Sequence, residues 1–244
     1  MPNSMNEYGK YTQIPLMVIP FIGSLYGLLA YFKSHIKNVF LKKSILFIST
    51  SLLFWSLGMT SWAIYIFSLK LESVPYPSFG DLFFIFIEPF AYVGFFYLWM
   101  ASNFDIKTNL ISKLRLIILP IIFLISTVFL LNYLRRKYLP NGPENLLQMF
   151  FNYYYPIVTV TGIGLLSSMV IISLKTKNKV ASLFILAFLT GQIFQYCGDI
   201  WYSISNITGN YFNGYWPDLF YLLSLSIASV ALSNISPALT QKSK

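Results

Sequence analysis

LIILPIIFLISTVFLLNY, from Leu116 to Tyr133, is a run of eighteen residues without one charged side chain. An α-helix needs roughly 20 mainly apolar residues to cross a hydrocarbon core about 30 Å thick, where it satisfies its own backbone hydrogen bonds. Working outward from this run, six further stretches read the same way: Ile14 to Phe32, Ser44 to Leu69, Leu82 to Ala101, Tyr155 to Leu174, Val180 to Ser205 and Leu219 to Ile235. No segment between them is long enough to fold in water as a domain. The expectation is an all-α integral membrane protein of seven transmembrane helices, forming one transmembrane domain over residues 1–244.

Hydrophobic residues make up 56% and charged residues 10% of the chain, and the mean hydropathy is +0.63, which excludes a water-soluble core. The net charge of +9 would suggest nucleic acid in a soluble protein. Here the basic residues sit in short loops beside helix ends, where they set orientation instead. One side carries Lys33, Lys37, Lys42, Lys43, Lys107, Lys113, Arg115, Lys175, Lys177, Lys179, Lys242 and Lys244; the other carries Lys10, Lys70, Arg135, Arg136 and Lys137. The bias places the N-terminus outside and the C-terminus in the cytoplasm, in a multi-pass protein of the cell membrane. The cluster Arg135 to Lys137 is discordant: either it snorkels to headgroups, or the fourth and fifth spans need redrawing. The first span lacks a small-residue cleavage pattern and is read as a helix, not a signal peptide. Cys197 is the only cysteine and His35 the only histidine. That supply excludes a disulfide framework, His/Cys metal sites and Ser-His or Cys-His catalysis, so neither an enzyme, a cofactor nor a metal is expected.

Two segments read alike. Trp55-Ser-Leu-Gly58 through Pro77-Ser-Phe-Gly-Asp81-Leu-Phe-Phe matches Tyr196-Cys-Gly198-Asp199 through Trp216-Pro217-Asp218-Leu-Phe-Tyr, pairing Gly58 with Gly198 and Asp81 with Asp218. With the first and fifth spans added, the chain reads as a parallel 3+1+3 pseudo-repeat: repeat A over about 14–101, a linker helix over about 116–133 and repeat B over about 155–235. The alternative is coincidence, since Asp-Leu-Phe-aromatic is cheap in a chain with 23 Phe and 18 Tyr.

At these residues the chain resembles a family. Trp55, Gly58, Trp62, Tyr65 and Pro75-Tyr-Pro77-Ser-Phe-Gly-Asp81-Leu-Phe-Phe-Ile, with the later Gly198-Asp199, Tyr202, Gly214 and Asp218-Leu-Phe-Tyr, look like the multi-helix membrane sensor modules found ahead of diguanylate cyclase and histidine kinase domains. The resemblance covers roughly residues 50–100 and 190–235 and is most specific at the Pro-Ser-x-x-Asp element. It implies a sensing or partner-coupling module. Because only about nine residues follow the last span, the expected output lies on another chain, a membrane or cytoplasmic signalling partner.

Asp81 and Asp218 stand at the starts of the third and seventh spans, where a carboxylate accepts from free backbone N–H groups and complements the helix dipole. Capping suffices to explain both. Glu88 lies about 10 Å deep at 1.5 Å per residue, and an acid at that depth must be neutral, paired or water-facing. Asp199 is its expected counterpart, and no span interior offers a Lys or Arg to either. Gln192, Gln195, Tyr196, Asp199 and Tyr202 recur at helical spacing as one polar stripe, while Trp55, Gly58, Met59 and Trp62 share a face of the second span. Together they sketch an outward-opening pocket suited to a cationic or amphipathic ligand. The competing reading makes the polar residues interhelical glue and the aromatics filler. Retinal binding fails on supply, since the seventh span has no lysine. The expected function is a sensor-like or accessory module of the bilayer, with a small-solute transporter as the alternative.

Overall fold

In the computed structural model the residues described are 9–33, 36–71, 74–102, 110–138, 145–173, 179–208 and 210–240. Among them are seven helices long and apolar enough to cross a membrane. They are α1 (Gln13–Lys33), α2 (Val39–Ala63), α3 (Asp81–Ala101), α4 (Leu110–Tyr138), α5 (Leu146–Ser173), α6 (Lys179–Ile207) and α7 (Trp216–Thr240). A 3-10 turn, Lys10–Thr12, precedes α1, and a π-helical turn, Ile64–Ser68, continues α2. His35, Lys107, Lys175, Lys177, Lys242 and Lys244 lie outside the described residues.

Several boundaries move from those expected. Helix α4 runs on to Tyr138, so Arg135, Arg136 and Lys137 form its last turn. Cations there complement the negative end of the helix dipole, and the cluster belongs to α4 itself. Helix α5 begins at Leu146, not Tyr155, and takes Pro156 into its interior. Helix α6 extends through Asn206, whose amide donates to the Tyr202 carbonyl at 3.0 Å.

Helix α1 packs on α2 and α7, α2 on α3, α3 on α5, α5 on α6, and α6 on α7, which closes a ring of six helices. Helix α4 stands outside it, against α5 and the edge of α6. Only 17% of its apolar window is buried, against 28% or more for the other six. Gly164 lets the two backbones meet: a Cβ there would sit 2.5 Å from Pro120 Cα. The ends of the ring differ. One, the aspartate end, carries Asp81 and Asp218 at the starts of α3 and α7; the other, the lysine end, carries Lys33, Lys42 and Lys43.

Helix α3 is broken near its start. Its first turn, Asp81–Phe84, is followed by two non-helical residues before Ile87–Ala101 resumes. Pro89 explains the break, because proline has no N–H to donate to the carbonyl four residues back. That carbonyl belongs to Ile85, and it accepts the Tyr154 hydroxyl instead, at 2.6 Å. The Ile87 carbonyl accepts Ser51 Oγ at 2.9 Å. The interruption sets Glu88 in the first turn of the resumed helix, facing the middle of the ring.

The Phe84 ring lies on Gly58 and the Tyr221 ring on Gly198, where an added Cβ would meet ring carbons at 2.1 and 2.7 Å. Gly23 faces Ser229 across α1 and α7, and Gly162 faces Tyr92 across α5 and α3. Gln13 Nε2 donates to Asn213 Oδ1 at 3.2 Å, while the Tyr76 hydroxyl donates to Asn152 Oδ1 at 2.8 Å.

Candidate functional site

The ring encloses a cavity near the aspartate end, lined by all six ring helices and by none of α4. Helix α2 contributes Trp55, Met59 and Trp62, and α3 contributes Asp81, Phe84, Ile87 and Glu88. Helix α5 adds Tyr155 and Thr159, α6 adds Gln195, Asp199 and Tyr202, and α7 adds Asp218 and Tyr221, with Leu16 and Tyr211 completing the wall. The space open to the centre of a water molecule is about 60 Å³. One water takes about 10–15 Å³ by that measure, so a few waters or a small solute would fit. A second chamber of about 40 Å³ lies next to it toward the lysine end. The two share Trp55, Ile87, Glu88 and Gln195, which form the layer between them.

Within that layer Glu88 Oε1 accepts both glutamine amides, from Gln192 at 3.1 Å and from Gln195 at 2.9 Å. Its second oxygen, Oε2, is buried without a partner, as are Gln192 Oε1 and the Trp55 indole N–H. Asp199 is fully engaged by comparison. Thr159 Oγ1 donates to one of its oxygens at 2.6 Å and the Tyr221 hydroxyl to the other at 2.9 Å. Thr159 and Asp199 are brought together because α5 and α6 pack side by side in the ring.

The two terminal aspartates act as latches between neighbouring elements. Asp81 accepts the Ser78 backbone N–H at 2.6 Å, the reciprocal half of a capping box in Ser78-Phe-Gly-Asp81, and the Tyr155 hydroxyl of α5 at 2.5 Å. Asp218 accepts the Gly214 N–H at 2.6 Å, Tyr211 at 3.0 Å and Thr12 from the 3-10 turn that leads into α1 at 3.2 Å. Both carboxylates therefore take donors from the preceding loop and from a second helix, not from the first N–H groups of their own helices. In that loop, burial pushes the Tyr211 phenol well above its ordinary range, and the neighbouring Asp218 carboxylate adds to the shift. Tyr211 stays a donor.

An aromatic lattice surrounds the acids. Trp55 contacts Tyr221 and Phe84 at centroid distances of 5.2 and 5.6 Å, and Trp62 contacts Phe84 at 5.8 Å and Tyr202 at 6.2 Å. The indole of Trp62 donates to Ser78 Oγ at 2.9 Å, which ties the wall to the Asp81 loop.

Of the residues singled out from the sequence, Trp55, Trp62, Glu88, Gln195, Asp199 and Tyr202 line the larger cavity together. Gln192 lines the second chamber and bonds Glu88. Tyr196 turns away: its hydroxyl pairs with Thr127 of α4 at 2.8 Å, because its place in the helical turn carries it to the outer edge of the stripe. Tyr155, Thr159, Tyr211 and Tyr221 were not foreseen. Tyr155 and Thr159 lie four residues apart on one face of α5, a signal hidden by starting that span at Tyr155. Among the described residues no lysine, arginine or histidine lines either chamber. The chain matches no family model, no curated protein and no solved structure.

Proposed function

We propose that this chain is a sensor-like membrane module that takes a small solute into the chambers around Glu88 from outside the cell and passes its bound state to a partner chain. The observation that carries the reading is the unpartnered Glu88 Oε2, held on the inner face of a six-helix ring between two chambers. An unmade hydrogen bond on a buried acid costs free energy that a bound donor would recover. The acidic and aromatic walls suit a cationic or amphipathic solute.

In this reading the ring is a 3+1+3 pseudo-repeat, with α1 to α3 and α5 to α7 as equivalent triplets and α4 as the linker. The recurring contacts support it, as does the position of α4 outside the ring. The lining residues also fall into matched pairs, Trp55 with Gln195, Trp62 with Tyr202, Asp81 with Asp218 and Phe84 with Tyr221. Equivalence breaks at the acids: Glu88 is matched by Leu225 and Asp199 by Met59. Duplication would then have supplied the scaffold, and divergence a single polar layer. The resemblance to sensor modules ahead of cyclase and kinase domains supports output through a partner. Thermal unfolding of purified protein across cationic, lipid and quinone panels, with analysis of co-purifying membrane proteins, tests the proposal. Ligand-dependent stabilisation with a recurrent partner is expected. No shift and no partner would count against it.

The second chamber favours one other reading, a small-solute transporter in which the Glu88 layer separates two ends of a pathway. Proteoliposome uptake abolished by Glu88→Gln and by Asp199→Asn would promote it over sensing.

A further inference from the structure

We propose that Glu88 holds the ammonium group of a small primary amine whose short apolar tail lies in the chamber toward the lysine end. This deepens the reading above and rests on it. Glu88 is 3% exposed, and its Oε2 has no partner among the described residues. Glu88 Oε1 has taken both glutamine amides, so Oε2 is the open acceptor of the layer, beside one open donor, the Trp55 indole N–H. An ammonium group carries three N–H donors and no acceptor, whereas a hydroxyl brings one donor. At the open carboxyl oxygen an ammonium also brings an opposite charge, which an alcohol does not.

Charge selects in the same direction. The larger chamber displays four carboxyl groups, those of Asp81, Glu88, Asp199 and Asp218, and no basic side chain. Three of the four are engaged by protein donors, so a cation that is drawn in finds its open oxygen at Glu88. The Trp55 ring beside that layer offers a cation–π surface.

Shape sets the tail. Beyond Glu88 the second chamber is walled by Ile48, Leu52, Phe95, Phe188 and Leu225, all apolar. Its volume of about 40 Å³ for water centres limits the tail to a few carbons.

The test compares three ligands of one shape on the full chain in nanodiscs at pH 7, with empty nanodiscs as blank: n-butylammonium, 1-butanol and butyrate, measured by titration calorimetry. Butylammonium is expected to bind about tenfold or more tightly than butanol, the advantage of a charge-assisted over a neutral hydrogen bond, and butyrate not to bind. Glu88→Gln keeps an oxygen for both glutamine amides and is expected to fold while losing the preference for the amine. Equal binding of butanol and butylammonium would overturn the inference, as would a preference unchanged in Glu88→Gln. Should that variant fail to fold, the wild-type ranking decides alone. Silence from all three ligands also overturns it. If the wider panel of the preceding section still stabilises the protein, only the amine assignment falls; if that panel is silent too, the solute-binding reading falls with it.

Discussion

Glu88 and Asp199 line one cavity, but their hydrogen bonding gives them opposite expected responses to substitution. Asp199 accepts from Thr159 and Tyr221 on separate oxygens, so Asp199→Asn forces one hydroxyl to give up donating and accept from the new amide instead. Interhelical hydrogen bonds in membranes are worth about 0.6 kcal/mol on average and up to about 1.7, so a loss of about 1 kcal/mol is expected on thermal unfolding in detergent. Glu88→Gln keeps the oxygen that receives Gln192 and Gln195 and replaces the unpartnered, chargeable oxygen by a neutral amide nitrogen, so no existing bond is lost and a buried charge is removed. It is expected to leave stability unchanged or raised in the same assay. Destabilisation by Glu88→Gln greater than by Asp199→Asn would show that the bonding pattern has been misassigned. At this scale the sequence was legible where depth alone decides. An acid at the depth of Glu88 marks itself in any apolar helix, whereas Tyr211 and Tyr221 are two of 18 tyrosines until a neighbouring carboxylate gives them a role. The latch between Tyr155 and Asp81 was invisible for another reason, since it depends on α3 and α5 being neighbours.

At the scale of the element, two close approaches and one break set the site. A methyl group at Gly198 would meet the Tyr221 ring at 2.7 Å, and Tyr221 is held in place by Asp199. Gly198→Ala is therefore expected to cost about 1–3 kcal/mol, as overpacking does. Adding Tyr221→Phe, which frees the ring from its carboxylate, should give a combined loss smaller than the sum; full additivity in a double-mutant cycle would contradict the contact. Pro89→Ala restores the N–H that could bond the Ile85 carbonyl and make α3 continuous. The Glu88 side chain would then rotate away from Gln192 and Gln195, and loss of ligand-induced stabilisation with unchanged or higher intrinsic stability is expected. Span positions followed from hydropathy, but their ends did not. The polar starts of α5 and α7, among them Asn152, Pro217 and Asp218, look like loop by composition and are helix because neighbouring elements satisfy their polar groups. The break in α3 was foreseeable from Pro89; the tyrosine that fills the vacated hydrogen bond was not.

For the whole molecule, the ring of six with α4 outside it gives α4 a different tolerance from the rest. Several of its residues are exposed, among them Ile117, Ile122 and Phe129. Exchange of these for other apolar residues is expected to change stability by less than about 0.5 kcal/mol, while comparable changes at buried Leu98, Leu166 or Leu232 cost several times more. Ring order could not be read from the chain, because every span is apolar on most faces and periodicity does not say which face meets which. Gly58, Gly198, Asp81 and Asp218 were legible because close ring contacts and loop latches demand particular residue types. The central claim is that Glu88 sits in a chamber reached by small cations from the aspartate end. Its most direct test is thiol accessibility: Glu88→Cys in a Cys197→Ala background, treated in sealed right-side-out vesicles with aminoethyl and sulfonatoethyl methanethiosulfonates. Reaction of the introduced thiol with the cationic reagent at a rate well above that of the anionic one is expected. A thiol that reacts with neither reagent, or with both alike, would contradict it.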